Sequence, residues 1–169
     1  MKKLTFVFTL VAVLVFAFSA VFAAPAAAAG SDKTIVETAL AINAESGEFS
    51  TLISAVVYTG LLPTLNGKGQ FTVFAPTDAA FAKLGLDADS IKTLPKATVK
   101  SILLYHVARG ERLSGDVVSS SRIRMMNKQF TYPSLMDSKA YINDAEILAV
   151  DVPAKNGVIH VIDTVLMPK

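Results

Sequence analysis

The hydrophobic pattern of the chain begins with a run that has no polar periodicity. Residues 4–20 are almost entirely apolar, follow the basic pair Lys2 and Lys3, and lead to the small-x-small sequence Val21-Phe22-Ala23. This order is typical of an export signal, so we predict a signal peptide over residues 1–23 and a secreted or periplasmic product. The alternative is a retained membrane anchor, because the run approaches the roughly 17–25 residues of a short spanning helix.

Helical periodicity follows a short flexible tether at residues 24–33. Thr34 and Glu37 fit a capping box, which predicts a helix from there to about Ile42. A second helix is predicted from apolar residues at i, i+3, i+4, i+7 and i+8, with a glycine and then a proline past its end. These residues are Phe49, Leu52, Ile53, Val56 and Val57, with Gly60 and Pro63 after them.

Strand and helix signals then separate along the chain. A strand is predicted at residues 70–75 and helices at 78–84, 87–94 and 96–106, whereas short β-prone runs dominate after Gly110. These runs are residues 122–126, 129–132, 139–142, 146–150 and 158–165. Helices first and strands second indicate a single α+β domain over residues 34–169. Residues 158–162 are apolar on both faces except for His160, so we place that strand near the centre of the sheet.

Composition narrows the classes of function. The chain has no cysteine, so neither disulfides nor a lipid-bearing cysteine can be present. Its net charge of +2 disappears with Lys2 and Lys3, which leaves a neutral domain and does not favour nucleic acid as a partner. After the signal is removed, no segment is apolar and long enough to span a membrane stably.

Catalytic signatures are missing from the sequence. The two histidines, His106 and His160, have no metal-ligand spacing, and there is no Gly-x-Ser-x-Gly elbow or glycine-rich phosphate loop. We therefore expect no enzyme activity, no catalytic residues, no metal and no cofactor. A hydrolase that uses paired carboxylates remains the least favoured alternative, because acidic residues are common on any surface.

Three blocks resemble the fasciclin-like domain. They are FTVFAPTDAAF at residues 71–81, LYHV at 104–107 and NGVIHVID at 156–163. The resemblance extends over residues 34–169 and implies a wedge-shaped β-sandwich with helices packed around it. It also implies a secreted or surface-attached protein that acts in cell adhesion or matrix binding, with an unidentified cell-surface, matrix or polysaccharide partner.

The resemblance also implies roles for individual residues. Tyr105 matches a tyrosine-histidine segment and Asp151-Val152 an aspartate-isoleucine pair that serve as contact motifs in animal relatives, so these three residues are candidate contacts. Six residues of the blocks are expected to be structural, with both histidines buried and neutral. They are Thr77, Asp78, His106, Asn156, Gly157 and His160.

A basic stretch provides the remaining candidate contacts. It contains Arg109, Arg112, Arg122, Arg124 and Lys128. Arg122 and Arg124 alternate along a predicted strand and so share one face. That face is either an ordinary solvated surface or a patch for an anionic polymer. The sequence thus predicts a secreted, non-enzymatic adhesion domain, with an exported protein that binds polysaccharide or a small ligand as the alternative.

Overall fold

The computed structural model describes residues 31–168. The predicted signal peptide and most of the tether therefore lie outside the described residues. The described part of the chain contains six α-helices and one short 3-10 helix (Ser90–Thr93). The helices are α1 (Ile35–Ser46), α2 (Ser50–Thr59), α3 (Leu62–Leu65), α4 (Asp78–Ala82), α5 (Lys96–Tyr105) and α6 (Ser114–Ser119). None of the helices in residues 31–168 has the length and apolar character needed to cross a membrane.

Eight strands are present between residues 31 and 168. They are β1 (Phe71–Pro76), β2 (Val107–Arg109), β3 (Ile123–Arg124), β4 (Phe130–Thr131), β5 (Pro133–Met136), β6 (Lys139–Ile142), β7 (Ala145–Ala154) and β8 (Gly157–Ile162). Six form one mixed sheet in the order β2-β1-β8-β7-β6-β5, and β3 pairs with β4 in a two-stranded ribbon. The pairing of β1 with β8 is parallel, and every other strand pair is antiparallel.

The capping box at the start of α1 is confirmed. The Thr34 backbone N–H donates to Glu37 Oε2 at 2.7 Å, and the Glu37 N–H donates back to Thr34 Oγ1 at 3.4 Å. The helix is four residues longer than predicted and ends at Gly47, whose φ of 73° is the left-handed conformation of a C-cap. Gly60 ends α2 in the same way, as the sequence indicates.

Two hydrophobic cores lie on opposite faces of β1 and β8. Along β1, Val73 and Ala75 join the core under the helices, whereas Phe74 joins the second core. Along β8, Ile159 faces the helices and Ile162 the second core. The ribbon and the curled end of the sheet close the second core. The members from those elements are Ile123, Met125, Ile142 and Ala145.

This arrangement confirms the α+β fold class and the central position of the 158–162 strand. Both β1 and β8 are buried along their whole length, as expected for the only parallel pair of the described sheet. Two local features differ from the sequence prediction: the helix predicted over residues 87–94 is only the 3-10 helix Ser90–Thr93, and residues 114–119 of the strand-rich half form helix α6. The reason for α6 is a cap supplied from β7, described below.

Candidate binding site

His106 is a buried, neutral part of the fold. Its Nδ1 lies 2.8 Å from the carbonyl oxygen of Ile102, and its Nε2 accepts the Leu166 backbone N–H at 2.9 Å. An imidazole that donates through Nδ1 and accepts through Nε2 satisfies both contacts without a positive charge. Burial lowers the pKa of His106 from 6.5 to about 4. The ring has no free nitrogen with which to contact a substrate.

His160 is neutral for the same reason but in the opposite tautomer. Its Nε2 lies 2.9 Å from the carbonyl oxygen of Arg112, and its Nδ1 accepts the Asp151 backbone N–H at 3.3 Å. The ring is stacked on Phe74 with the centroids 5.4 Å apart. Burial lowers the pKa of His160, against the opposing effects of the Arg112 carbonyl and the Asp151 charge. The ring joins the central strand to the loop before α6.

Asp151 caps α6 instead of projecting freely from the surface. Its carboxylate accepts the Ser114 backbone N–H at 2.7 Å and the Ser114 hydroxyl at 2.5 Å. Asp151 has a φ of 57° at an irregularity of β7, between the residue pairs Ala149–Val161 and Val152–Ile159. Val152 packs partly against the core under the helices. The proposed contact roles of this pair remain predictions, since the described contacts are intramolecular.

Replacement of Asp151 tests its capping role. We expect Asp151→Ala to lower the free energy of unfolding by about 2–3 kcal/mol, because it removes a helix cap and places alanine at positive φ. Asp151→Asn should recover part of this loss, because asparagine tolerates the left-handed conformation. Urea unfolding measures the difference, with the exposed turn residue in Asp144→Ala as a control expected within about 0.5 kcal/mol of wild type. Equal stability of the Asp151→Ala and Asp144→Ala variants would contradict the assignment.

Asp78 and Thr77 hold two helices together. The Thr77 hydroxyl accepts the Ala80 backbone N–H at 3.3 Å and so caps α4. The Asp78 carboxylate accepts the backbone N–H groups of Ser50 at 3.1 Å and Thr51 at 2.8 Å, which caps α2. The sequence indicates only a first-turn role for Asp78 in its own helix. Its partners are 28 and 27 residues away, so no local pattern identifies them.

Asn156 and Gly157 fix the start of β8. The Asn156 side chain accepts the Ile35 backbone N–H at 2.9 Å and donates to the Leu65 carbonyl oxygen at 2.6 Å, so it joins α1 to α3. Gly157 has a φ of 144° and lies against the backbone of Phe71 in β1. A Cβ atom at Gly157 would be 1.8 Å from the Phe71 carbonyl oxygen. Glycine is therefore required here by both conformation and space.

Tyr105 lies inside the domain. Its side chain is only 4% exposed, and its hydroxyl donates to the Phe130 carbonyl oxygen at 2.9 Å and accepts from the Asn143 amide at 3.3 Å. These bonds tie α5 to the ribbon and to the turn between β6 and β7. A partner contact through Tyr105 remains a prediction, and in this conformation the ring offers almost no surface for it.

Arg122 and Arg124 are exposed on the outer side of the ribbon. The register opposes Arg124 to Phe130, so these two side chains share a face, and the Arg122 guanidinium lies 4.5 Å from the centre of the Phe130 ring. An isolated antiparallel bridge between Ala108 and Met125 links the ribbon to β2 and sets Arg109 opposite Arg124 in the backbone register. Tyr132 directly follows β4 and is 58% exposed. We call these five residues the arginine face: Arg109, Arg122, Arg124, Phe130 and Tyr132.

The two notable cavities differ in character. The first has a volume of about 50 Å³ and lies among the apolar side chains of α1, α2, α3, α5 and the sheet. It is far smaller than the roughly 300–1,000 Å³ of typical small-molecule sites. The second, of about 330 Å³, is an open polar cleft beside α6. It contains Arg109 and Arg112 but also Glu111 and Asp116, so its charges are balanced.

Comparison with known proteins agrees with this geometry. The model of the fasciclin domain matches residues 47–168. The chain belongs to the fasciclin domain family. One relative is Protein sll1483 of Synechocystis sp., which is 40% identical to this chain over 144 residues. The aligned residues cover 84% of this chain and 77% of the relative. Within residues 31–168, no three acidic or histidine side chains come together as a metal-binding group.

Two further relatives are longer than the part that this chain matches. Transforming growth factor-beta-induced protein ig-h3 of Sus scrofa is 37% identical over 121 residues, which cover 71% of this chain but 18% of the relative. A fasciclin domain pair from the insect cell adhesion molecule Fasciclin I has the same fold, with a TM-score of 0.66 at 19% identity. That match covers 82% of this chain and 52% of the domain pair, so this chain spans only part of either relative.

Proposed function

We propose that this fasciclin domain is a secreted or periplasmic, non-enzymatic domain that attaches to a component of the cell surface, matrix or envelope. The proposal rests on one observation: the histidine and aspartate side chains that could act as catalytic groups are bonded to backbone groups of the fold. Both histidines have their two ring nitrogens bonded to backbone groups, and Asp78 and Asp151 cap helices. Asp163 likewise accepts the Glu146 backbone N–H and pairs with Lys83.

Side chains that hold backbone groups are poorly placed for general acid–base chemistry. A catalytic base must reach the proton that it removes, and its pKa should lie near the working pH. The imidazole of His106 meets neither condition, because it is buried and its pKa is about 4. Family membership supports the same reading, since one solved relative is described as a cell adhesion molecule.

The alternative of a small-ligand carrier has less support. The open cleft of about 330 Å³ beside α6 has balanced charges and little apolar surface, and the apolar cavity between the helices and the sheet has a volume of only about 50 Å³. For comparison, an engineered apolar cavity that binds benzene has a volume of about 150 Å³. The cavity is therefore too small for a ligand of ordinary size in the conformation described.

Two measurements on the exported protein test the proposal. We expect the protein to be retained on the envelope fraction of its producing cells, and to show no turnover in a broad screen of ester, glycoside, peptide and phosphate substrates. The matched control is a second exported protein of similar size and neutral charge. Turnover that is abolished by one carboxylate substitution, or retention no greater than that of the control, would contradict the proposal.

A further inference from the structure

The arginine face carries a charge arrangement that the fold itself does not need. The antiparallel bridge between Ala108 and Met125 sets Arg109 opposite Arg124 in the backbone register, and Arg122 lies two residues along from Arg124. Like charges placed opposite each other destabilise a sheet. The three ion pairs of residues 31–168 join Lys83 to Asp163, Lys92 to Asp89 and Lys139 to Glu146, so none of them neutralises these arginines.

Phe130 holds one of the guanidinium groups in place. The Arg122 guanidinium lies 4.5 Å from the centre of the Phe130 ring. The backbone of Phe130 is held by the pairing of β3 with β4 and by a hydrogen bond from the Tyr105 hydroxyl to its carbonyl oxygen. Stacking on the flat side of a guanidinium leaves the N–H donors at its rim free. A guanidinium already held in place also loses less conformational entropy when it binds an anion.

Tyr132 adds an exposed aromatic ring beside the arginines. It follows Thr131, which pairs with Ile123, so the antiparallel register sets Tyr132 opposite Arg122. Its backbone is held on the other side by two hydrogen bonds with Asn143, at 2.9 Å each. The C–H face of a pyranose ring packs against the negative face of an aromatic ring, while the phenol hydroxyl can hydrogen-bond to sugar hydroxyls.

From this geometry we propose that the arginine face binds an acidic polysaccharide. Carboxylate or sulfate groups of the polymer pair with the rims of the Arg122, Arg124 and Arg109 guanidinium groups, and a sugar ring packs on Tyr132. Repeated anions along a polymer match a row of cations, whereas a free anion would use only one of them. The inference rests on the proposed function, because it names the chemical class of the partner to which this domain attaches.

An anionic membrane surface fits these residues less well. A membrane-binding face inserts apolar side chains into the headgroup region next to its cations. Here the Phe130 ring is only 36% exposed and has a guanidinium stacked on it, so it is not placed to insert. The exposed apolar residues of the neighbouring hairpin, Leu135 and Met136, lie in β5 and not among the arginines.

Binding to sodium alginate, a polymer of uronic acids, tests the inference. The exported protein is titrated with alginate oligomers and with the same oligomers after reduction of their carboxyl groups. We expect the protein to bind the unmodified alginate oligomers but not the reduced oligomers. Added salt should weaken this binding. Arg122→Gln/Arg124→Gln should weaken binding about tenfold or more, because it removes two charge-assisted hydrogen-bonding groups. Phe130→Leu should weaken it several-fold without removing a charge.

The control variant is Lys68→Gln/Lys100→Gln, which makes the same change in charge at two exposed lysines elsewhere. We expect it to bind alginate within about twofold of wild type, since neither lysine belongs to the arginine face and salt screens exposed charges. Equal loss in the arginine and lysine variants would contradict the inference, as would equal binding of reduced oligomers. Tighter binding to phosphatidylglycerol vesicles than to alginate would instead assign the face to a membrane.

Envelope retention of the same variants separates this inference from the proposed function. If the arginine variant is retained on envelopes as wild type is and also binds alginate normally, the arginine face is not the attachment site, yet the attachment function stands. If wild type itself is not retained, the proposed function fails. Loss of both alginate binding and retention in the arginine variant alone is the result that we expect.

Discussion

Gly157→Ala is expected to abolish folding or to lower the free energy of unfolding by more than about 4 kcal/mol. The added Cβ would lie 1.8 Å from the Phe71 carbonyl oxygen and 2.8 Å from the Phe71 nitrogen. These are backbone atoms of a fully buried strand, so a side-chain rotation cannot relieve the clash. The substitution would have to push β8 away from β1, the two strands on which both cores are built.

Gly47→Ala is the matched control for this effect. Gly47 also has a positive φ, 73°, but a Cβ there would meet no atom within 4 Å. We expect it to cost only about 1–2 kcal/mol, the penalty of the left-handed backbone for alanine. Chemical denaturation of both variants measures the difference. If Gly157→Ala were no less stable than Gly47→Ala, the close parallel pairing of β1 with β8 would be wrong.

The second large effect is a loss of stability in mild acid. The pKa of His106 in the folded protein is about 4, below the 6.5 of an accessible histidine. Between these values the unfolded chain binds a proton that the folded protein does not, so stability falls as the pH falls. From pH 7 to pH 5, His106 alone should remove about 2 kcal/mol. His160, whose pKa is also lowered by burial, should add to this loss.

Asp163, the acidic partner of Lys83, does not account for a loss in this pH range. Partial burial raises the pKa of Asp163, but bonds from Lys83, Thr164 and the Glu146 backbone outweigh it and hold the pKa below 3.8. A carboxylate with a lowered pKa loses its stabilising effect only as the pH falls toward and below its usual pKa. Asp163 therefore contributes little to the change in stability between pH 7 and pH 5.

Urea unfolding of wild type and His106→Gln across this window provides the measurement. Glutamine does not titrate, so the variant should be less stable at pH 7 but should lose about 2 kcal/mol less between pH 7 and pH 5. The pH dependence that remains should include the contribution of His160, whose pKa is also lowered. Parallel pH dependence in the two proteins would mean that His106 is not a buried neutral histidine.

Much of the fold follows from local patterns in the sequence. The capping box at Thr34, the glycine after α2 and the apolar strand around His160 each specify a structure within a few residues. Local patterns do not determine which distant segments meet. The parallel pairing of β1 with β8 joins residues far apart in sequence. The sequence predicts only a consequence of this pairing, which is that the strand is buried on both faces.

The unpredicted features are those that depend on distant partners. Helix α6 has no helical periodicity, and its cap is the Asp151 carboxylate, 37 residues further along the chain. Tyr105 lies outside the apolar stripe of its helix, so the sequence is compatible with an exposed side chain. In the structure its hydroxyl instead donates to the Phe130 carbonyl oxygen in the ribbon. The pairing of Phe130 with Arg124 likewise requires the register of β3 with β4, which the alternation of arginines alone does not give.

The central claim is that both histidines are neutral parts of the fold, which leaves function to the surface. Imidazole nitrogen NMR on the labelled protein at pH 7 tests it directly. The structure predicts two neutral rings of opposite tautomer, with the proton on Nδ1 of His106 and on Nε2 of His160. His106 should stay neutral down to about pH 5 while the protein remains folded, and the pKa of His160 should lie below the usual 6.5. A positively charged ring at pH 7, or a titration near pH 6.5 in the folded protein, would contradict the claim.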